Sequence, residues 1–138
     1  MTHAFSTLDE LGEGYGFRKI RTGLGVEAFG VNAIVMPPGM VAFWHYHDEQ
    51  DELYFIHSGT ALIEVGDPEN PETRELGPGG LFHATAQVPR RLSNAGNDDL
   101  VFVVIGGKGG YVGRDGQLVN MDDFELRKSY GEGSKGSS

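Results

Sequence analysis

Apolar and polar positions alternate with a period of two over several short stretches, and glycine- and proline-rich turns separate them. Alternation of that kind lays one face of an extended segment on a core. The pattern predicts strands near Gly16–Arg21, Val26–Met36, Val41–His47, Glu52–His57, Thr60–Gly66, Thr73–Leu76, Leu81–Ala84, Pro89–Ser93 and Leu100–Gly106. The separators are turn chemistry: Pro37-Pro38-Gly39, Ser58-Gly59, Gly66-Asp67-Pro68, Gly77-Pro78-Gly79-Gly80 and the run Asn94–Asp99. Many short strands at this spacing predict an all-β sandwich or barrel. Thr7-Leu8-Asp9-Glu10 suggests a helical turn ahead of the first strand, and Asn120–Lys128 a short terminal helix or strand. The last residues, 131–138, have nothing to bury and are expected to be disordered. The chain thus reads as an N-terminal segment (1–14), one β domain (15–130) and a tail (131–138).

Two segments break the alternation. Leu53-Tyr54-Phe55-Ile56 and Leu100-Val101-Phe102-Val103-Val104-Ile105 are apolar on both faces. A strand with one wet face alternates, so the outer face of these two needs a cover. A second copy of the chain is the simplest one, and a homodimer is expected.

Composition narrows the classes. At 138 residues there is room for one domain. Lys plus Arg total 11 against 20 for Asp plus Glu, a formal charge of −9. An acidic chain without a basic run is a poor ligand for nucleic acid or an anionic membrane surface. With no cysteine, thiolate metal sites, disulfides and a Cys nucleophile are excluded. No apolar stretch approaches the roughly 20 residues of a membrane span, and the N-terminus lacks a signal-peptide pattern, so a soluble cytoplasmic protein is expected.

The chemistry is concentrated between Gly39 and Gly59. His45 and His47 are two apart, so in a strand both imidazoles point to one face. A turn at Asp48–Asp51 follows, and an antiparallel neighbour is expected to bring Glu52 back beside them. Two imidazoles and one carboxylate form a set suited to a divalent metal ion, with positions left open for a ligand. Iron, manganese, nickel and zinc all accept these donors. By the same alternation Tyr54 and Ile56 share the face of Glu52, and Val41 and Phe43 that of the histidines. Tyr54 is then either a proton donor to a substrate or a packed aromatic with its hydroxyl hydrogen-bonded. Gln50 lies between the ligands, placed to hydrogen-bond a ligand histidine or to face water. His57 and His83 fall on the opposite face and read as surface or interface residues.

The spacing Gly39, His45, His47, Glu52, Gly59 resembles the first signature motif of the cupin superfamily. That resemblance implies a small antiparallel jelly-roll barrel, often dimeric, with a metal inside, and spans about residues 25–107. The second motif departs from the family pattern. Thr85, Gln87 and Arg90 stand where it has Pro, Gly and His, while Gly79 and Asn94 are kept. The missing histidine is normally the fourth metal ligand. The combination resembles small cupins with His-x-His-x-x-Gln-x-Glu in the first motif and Arg in the second.

An arginine keeps its proton and cannot ligate a metal. A divalent ion and a guanidinium about 5 Å apart repel by roughly 6–7 kcal/mol at an effective dielectric near 20, before any compensation. An anion bridging the ion and Arg90 would offset that, so the expected ligand is a small anionic molecule held by Arg90. On this reading the protein is a metal-dependent small-molecule protein, and as an enzyme a dioxygenase-like oxidoreductase. Two alternatives stay open: a non-catalytic small-acid binder, with or without metal, in whose metal-free form Arg90 pairs with Glu52, and a metal-free isomerase or epimerase using Tyr54 and a histidine.

Overall fold

A computed structural model describes residues 3–113 and 115–120 together with 123 and 127. Its strands are β1 (Gly16–Arg18), β2 (Gly30–Met36), β3 (His45–His47), β4 (Asp51–Ser58), β5 (Ala61–Val65), β6 (Glu72–Leu76), β7 (Leu81–Ala84), β8 (Arg90–Asn94), β9 (Leu100–Gly107) and β10 (Gly116–Leu118), with one short helix, α1 (Ile20–Leu24). They form two antiparallel five-stranded sheets, β1-β2-β9-β4-β7 and β10-β3-β8-β5-β6. Sequential strands repeatedly cross from one sheet to the other, as in a jelly roll. The all-β single-domain architecture expected from the alternation is the one found.

The alternation is written directly in β4, where Glu52, Tyr54 and Ile56 are buried and Leu53, Phe55 and His57 are exposed. Facing sheets pack Ile34, Met36, Ile56, Ile63, Leu92, Leu100 and Phe102 between them. This core adjoins a buried polar group inside the barrel made by His47, Glu52 and Arg90. Gly39 and Gly59 both sit at positive φ in turns.

Several local expectations change. The strand expected at Gly16–Arg21 stops at Arg18, because Ile20–Leu24 turn into α1, which ends on Gly25 in the left-handed conformation. The strand expected from Val41 begins only at His45. Residues 40–42 are held by other bonds: Asn94 N–H donates to the Met40 carbonyl and Ala42 N–H to the Ser93 hydroxyl. Val41 is therefore 56% exposed rather than part of the pocket. The turn expected at Thr7–Glu10 is a 3-10 turn at Asp9–Leu11. β10 carries too few residues to show a period and was not legible. The terminal element read at Asn120–Lys128 and the tail 131–138 lie, isolated positions apart, outside the described residues.

Candidate metal centre

The two histidines come from β3, and its neighbours fix their setting. His45 faces Arg90 of β8 and Leu118 of β10 in register, and His47 faces Gly116. Glu52 does not come from an adjacent strand, as the spacing suggested. It sits on β4, whose neighbours are β7 and β9, in the opposite sheet. The carboxylate therefore meets the imidazoles across the barrel, and the turn at 48–50 carries the chain from one sheet to the other.

The convergence is close. One ligand atom from each of His45, His47 and Glu52 lies within 4.8 Å of the others. Glu52 Oε1 is 3.0 Å from His47 Nε2 and 3.7 Å from His45 Nε2. Two ligands about 2.1 Å from a shared ion, at octahedral or tetrahedral angles, stand about 3.0–3.4 Å apart. The spacing thus suits one ion with small adjustments.

Each side chain is prepared differently. Burial pulls the His45 imidazole below its usual pKa despite the neighbouring Glu52, which favours the neutral ring with one nitrogen free to ligate. Its Nδ1 is buried without a hydrogen-bond partner, so the protein alone leaves this ring incompletely satisfied. Burial also pulls His47 down, but hydrogen bonds and charge from Glu52 and Asp115 outweigh it, and the net shift is upward. His47 Nδ1 lies 2.8 Å from Asp115 Oδ1. An ionised carboxylate only accepts, so Nδ1 carries the hydrogen and Nε2 is turned to the centre. The Gln50 amide approaches the same Nδ1 at 2.9 Å, so Gln50 does touch a histidine of the set. Asp115 also accepts the backbone N–H groups of Glu49 and Gln50, each at 2.8 Å. Burial opposes its ionisation, but these two amides and His47 outweigh that and lower its pKa.

Glu52 is held ionised. Burial opposes this, but the hydrogen bonds and charge of His45 and His47 outweigh it and hold the carboxyl well below its usual range. The Tyr54 hydroxyl donates to Oε1 at 2.6 Å and Arg90 Nη2 at 2.7 Å. Burial, followed by the Glu52 charge, pushes the Tyr54 phenol well up. A buried phenol that keeps its proton and donates it to a carboxylate anchors Glu52.

Arg90 departs most from expectation. It is 1% exposed. Its Nη1 donates to the carbonyls of Ala86 and Val88, both at 2.9 Å, and of Thr85 at 3.4 Å. Its Nε faces the Tyr54 hydroxyl at 3.4 Å. Burial disfavours the cation, but Tyr54 and Glu52 outweigh it and raise its pKa. A guanidinium packed this way is spent on the protein; it braces Glu52 and does not present a fork to a ligand. The Arg90–Glu52 pair belonging to the metal-free alternative is thus formed.

Phe43 packs edge-on against His45, at 5.5 Å between ring centres, and Phe82 lies 5.4 Å from Tyr54. The site's apolar rim therefore comes from Phe43 and Phe82, both legible by parity. His57 is exposed, and exposed His83 lies 3.8 Å from Asp51, so neither belongs to the cluster. Asp115 was missed. It lies 68 positions from His47, in an Asp-Gly pair that reads as an ordinary turn.

Two antiparallel sheets closed into a double-stranded β-helix, with two imidazoles and a carboxylate meeting inside, define a class of small β-barrel with a possible metal site. The family model described as "Cupin domain" matches residues 32–106, and the chain belongs to that family. No curated protein matches it. Among solved structures, it is similar to an uncharacterised conserved protein with a double-stranded β-helix domain from Klebsiella pneumoniae (17% identity, TM-score 0.68, covering 84% of this chain and 96% of that one). It is similar to a cupin protein from Bacteroides fragilis (21% identity, TM-score 0.65, 89% and 95% covered). It is also similar to the oxalate decarboxylase of Lactobacillus farciminis in its formate complex (16% identity, TM-score 0.61), where 73% of this chain spans 29% of that one. At these identities the likeness is one of fold.

Proposed function

We propose that this protein binds a divalent metal ion through His45, His47 and Glu52 and uses it to hold a small anionic molecule. The observation that carries the reading is the convergence of the three ligand atoms within 4.8 Å. The orientation of His47 by Asp115 supports it. The Arg90–Glu52 pair does not compete with an ion, because Arg90 and Tyr54 both donate to Oε1 and the second carboxylate oxygen keeps its lone pairs for the ion. Arg90 and Glu52 cancel in charge, so an ion brings net positive charge into a half-closed barrel. That favours an anion as its ligand, now on the ion rather than on Arg90. Bound there, such an ion supplies Lewis-acid activation or a position for dioxygen. Tyr54 and Arg90 hold the carboxylate in place, and Phe43 and Phe82 keep water from one side. The formate complex of the Lactobacillus farciminis oxalate decarboxylase is a small-carboxylate precedent on the same fold, by analogy only.

The test is elemental analysis of untagged protein grown with iron, manganese, nickel and zinc supplied, beside His47→Ala. The reading expects near-stoichiometric metal in the parent and a clear loss in the variant. Equal trace metal in both would support the second reading, a metal-free acid binder, which the formed Arg90–Glu52 pair at 2.7 Å favours.

A further inference from the structure

Beside Glu52 the inner face of its sheet is almost bare. Across β2, β9, β4 and β7 the residues in register with it are Gly30, Gly106 and Ala84, whereas the next level carries Asn32, Val104, Tyr54 and Phe82. Residues two apart share a face, so the place of the missing Gly106 side chain points into the barrel. Gln50 takes that space. A Cβ on Gly106 would stand 2.8 Å from Gln50 Oε1 and 3.2 Å from its Cδ. The other end of the same carboxamide lies 2.9 Å from His47 Nδ1. The amide is thus wedged between a buried glycine of β9 and a histidine of the proposed metal set. Gly106 does not have the positive φ of Gly39 or Gly59, so its backbone would accept alanine. What needs glycine here is the room. Gly30, in the same row, differs: a Cβ there would meet nothing closer than 3.4 Å.

Chemistry decides which end of the amide faces the ring. Nδ1 turns its hydrogen to Asp115 and has no lone pair left to accept an amide N–H. The two ends of a carboxamide share one shape, and only the oxygen suits that neighbour. We propose that Gly106 is a positioning residue: its missing side chain makes the room in which Gln50 stands beside Asp115 as a second acceptor for the His47 Nδ1–H. Two acceptors on one N–H fix the plane of the ring and keep Nε2 toward Glu52, 3.0 Å away. The consequence for an ion rests on the metal-binding reading above; the consequence for the ring does not.

The test is a double-mutant cycle of Gly106→Ala and Gln50→Ala in the full chain, read in two ways. Zinc affinity is measured by competition with a chromophoric chelator. Exchange of the His47 Hδ1 proton with water is measured by NMR of the metal-free protein. Each single variant is expected to weaken zinc binding about tenfold or more and to speed Hδ1 exchange. The double variant is expected to match Gln50→Ala, because with the amide gone the new methyl has nothing left to displace. The Asp51 carbonyl oxygen, 3.1 Å from the same Cβ, asks for only a small shift. Gly30→Ala is expected to change neither readout. A parent chain that binds no zinc would defeat the metal reading and leave Hδ1 exchange to decide this one. Losses that add in the double variant would overturn the proposal, as would Hδ1 exchange unchanged in Gln50→Ala or already too fast to observe in the parent.

Discussion

At the residue scale the site is a chain of braces around one carboxylate. Arg90 and Tyr54 donate to the same oxygen of Glu52, at 2.7 Å and 2.6 Å. Arg90→Leu would strand that buried carboxylate and free the carbonyls of Thr85, Ala86 and Val88. The expected cost is about 3–5 kcal/mol in urea denaturation. Pairing Arg90→Leu with Glu52→Gln should recover part of it, since no unpaired charge then stays buried. A loss below about 1 kcal/mol in the single variant would mean that the pair is not formed in solution. Asp115 acts on His47 instead. Asp115→Ala is expected to weaken metal binding about 10–100-fold, with Asp115→Asn between the two because its amide oxygen still accepts from Nδ1. Metal titration followed by dialysis reads this directly.

The residues of the site divide by how local their signal is. His45 and His47 were legible because a two-residue period dictates where imidazoles point. Glu52 was legible as a partner but not as a partner from across the barrel, since spacing does not say which sheet a strand joins. Asp115 left no trace, because its contact is made through β10, three residues long and far along the chain. Arg90 was visible as a substitution, but the contacts it makes were not. Three backbone carbonyls that hold a guanidinium cannot be seen in a sequence.

At the element scale the turns decide whether the sheets can close. Gly39 and Gly59 belong to the same motif and both have positive φ, 79° and 84°. Their surroundings differ. A Cβ on Gly39 meets nothing within 4 Å, whereas on Gly59 it would lie 2.5 Å from the Asp99 carbonyl oxygen and 2.8 Å from Leu100 Cα. Gly39→Ala is therefore expected to cost about 1–2 kcal/mol, the left-handed penalty alone. Gly59→Ala should cost about 3 kcal/mol or more, because backbone must also move. Equal losses in thermal or urea unfolding would mean that the β4–β5 turn relaxes freely. The elements themselves were legible wherever alternation ran for four residues or more. β1 stopped early at α1, and β3 started late because bonds to Ser93 and Asn94 hold residues 40–42.

At the scale of the whole molecule, the outer face of the β4–β9 sheet remains apolar. Leu53, Phe55 and Leu81 are 39%, 38% and 63% exposed. We propose that a second copy of the chain covers it, as the unbroken apolar runs suggested. Light scattering is expected to give a dimer, near twice 14.9 kDa, and Phe55→Glu a monomer. A monomeric parent chain at high micromolar concentration would remove the proposal. Dimerisation leaves the site intact, since all three proposed ligands come from one chain.

The central claim, that His45, His47 and Glu52 hold an ion between the two sheets, is tested most directly by anomalous diffraction from a crystal grown without added metal. The account predicts one peak within about 2.0–2.3 Å of both imidazoles and the carboxylate, its absorption edge naming the element. Flat anomalous density there, with Glu52 bonded only to Arg90, Tyr54 and His47, would contradict it.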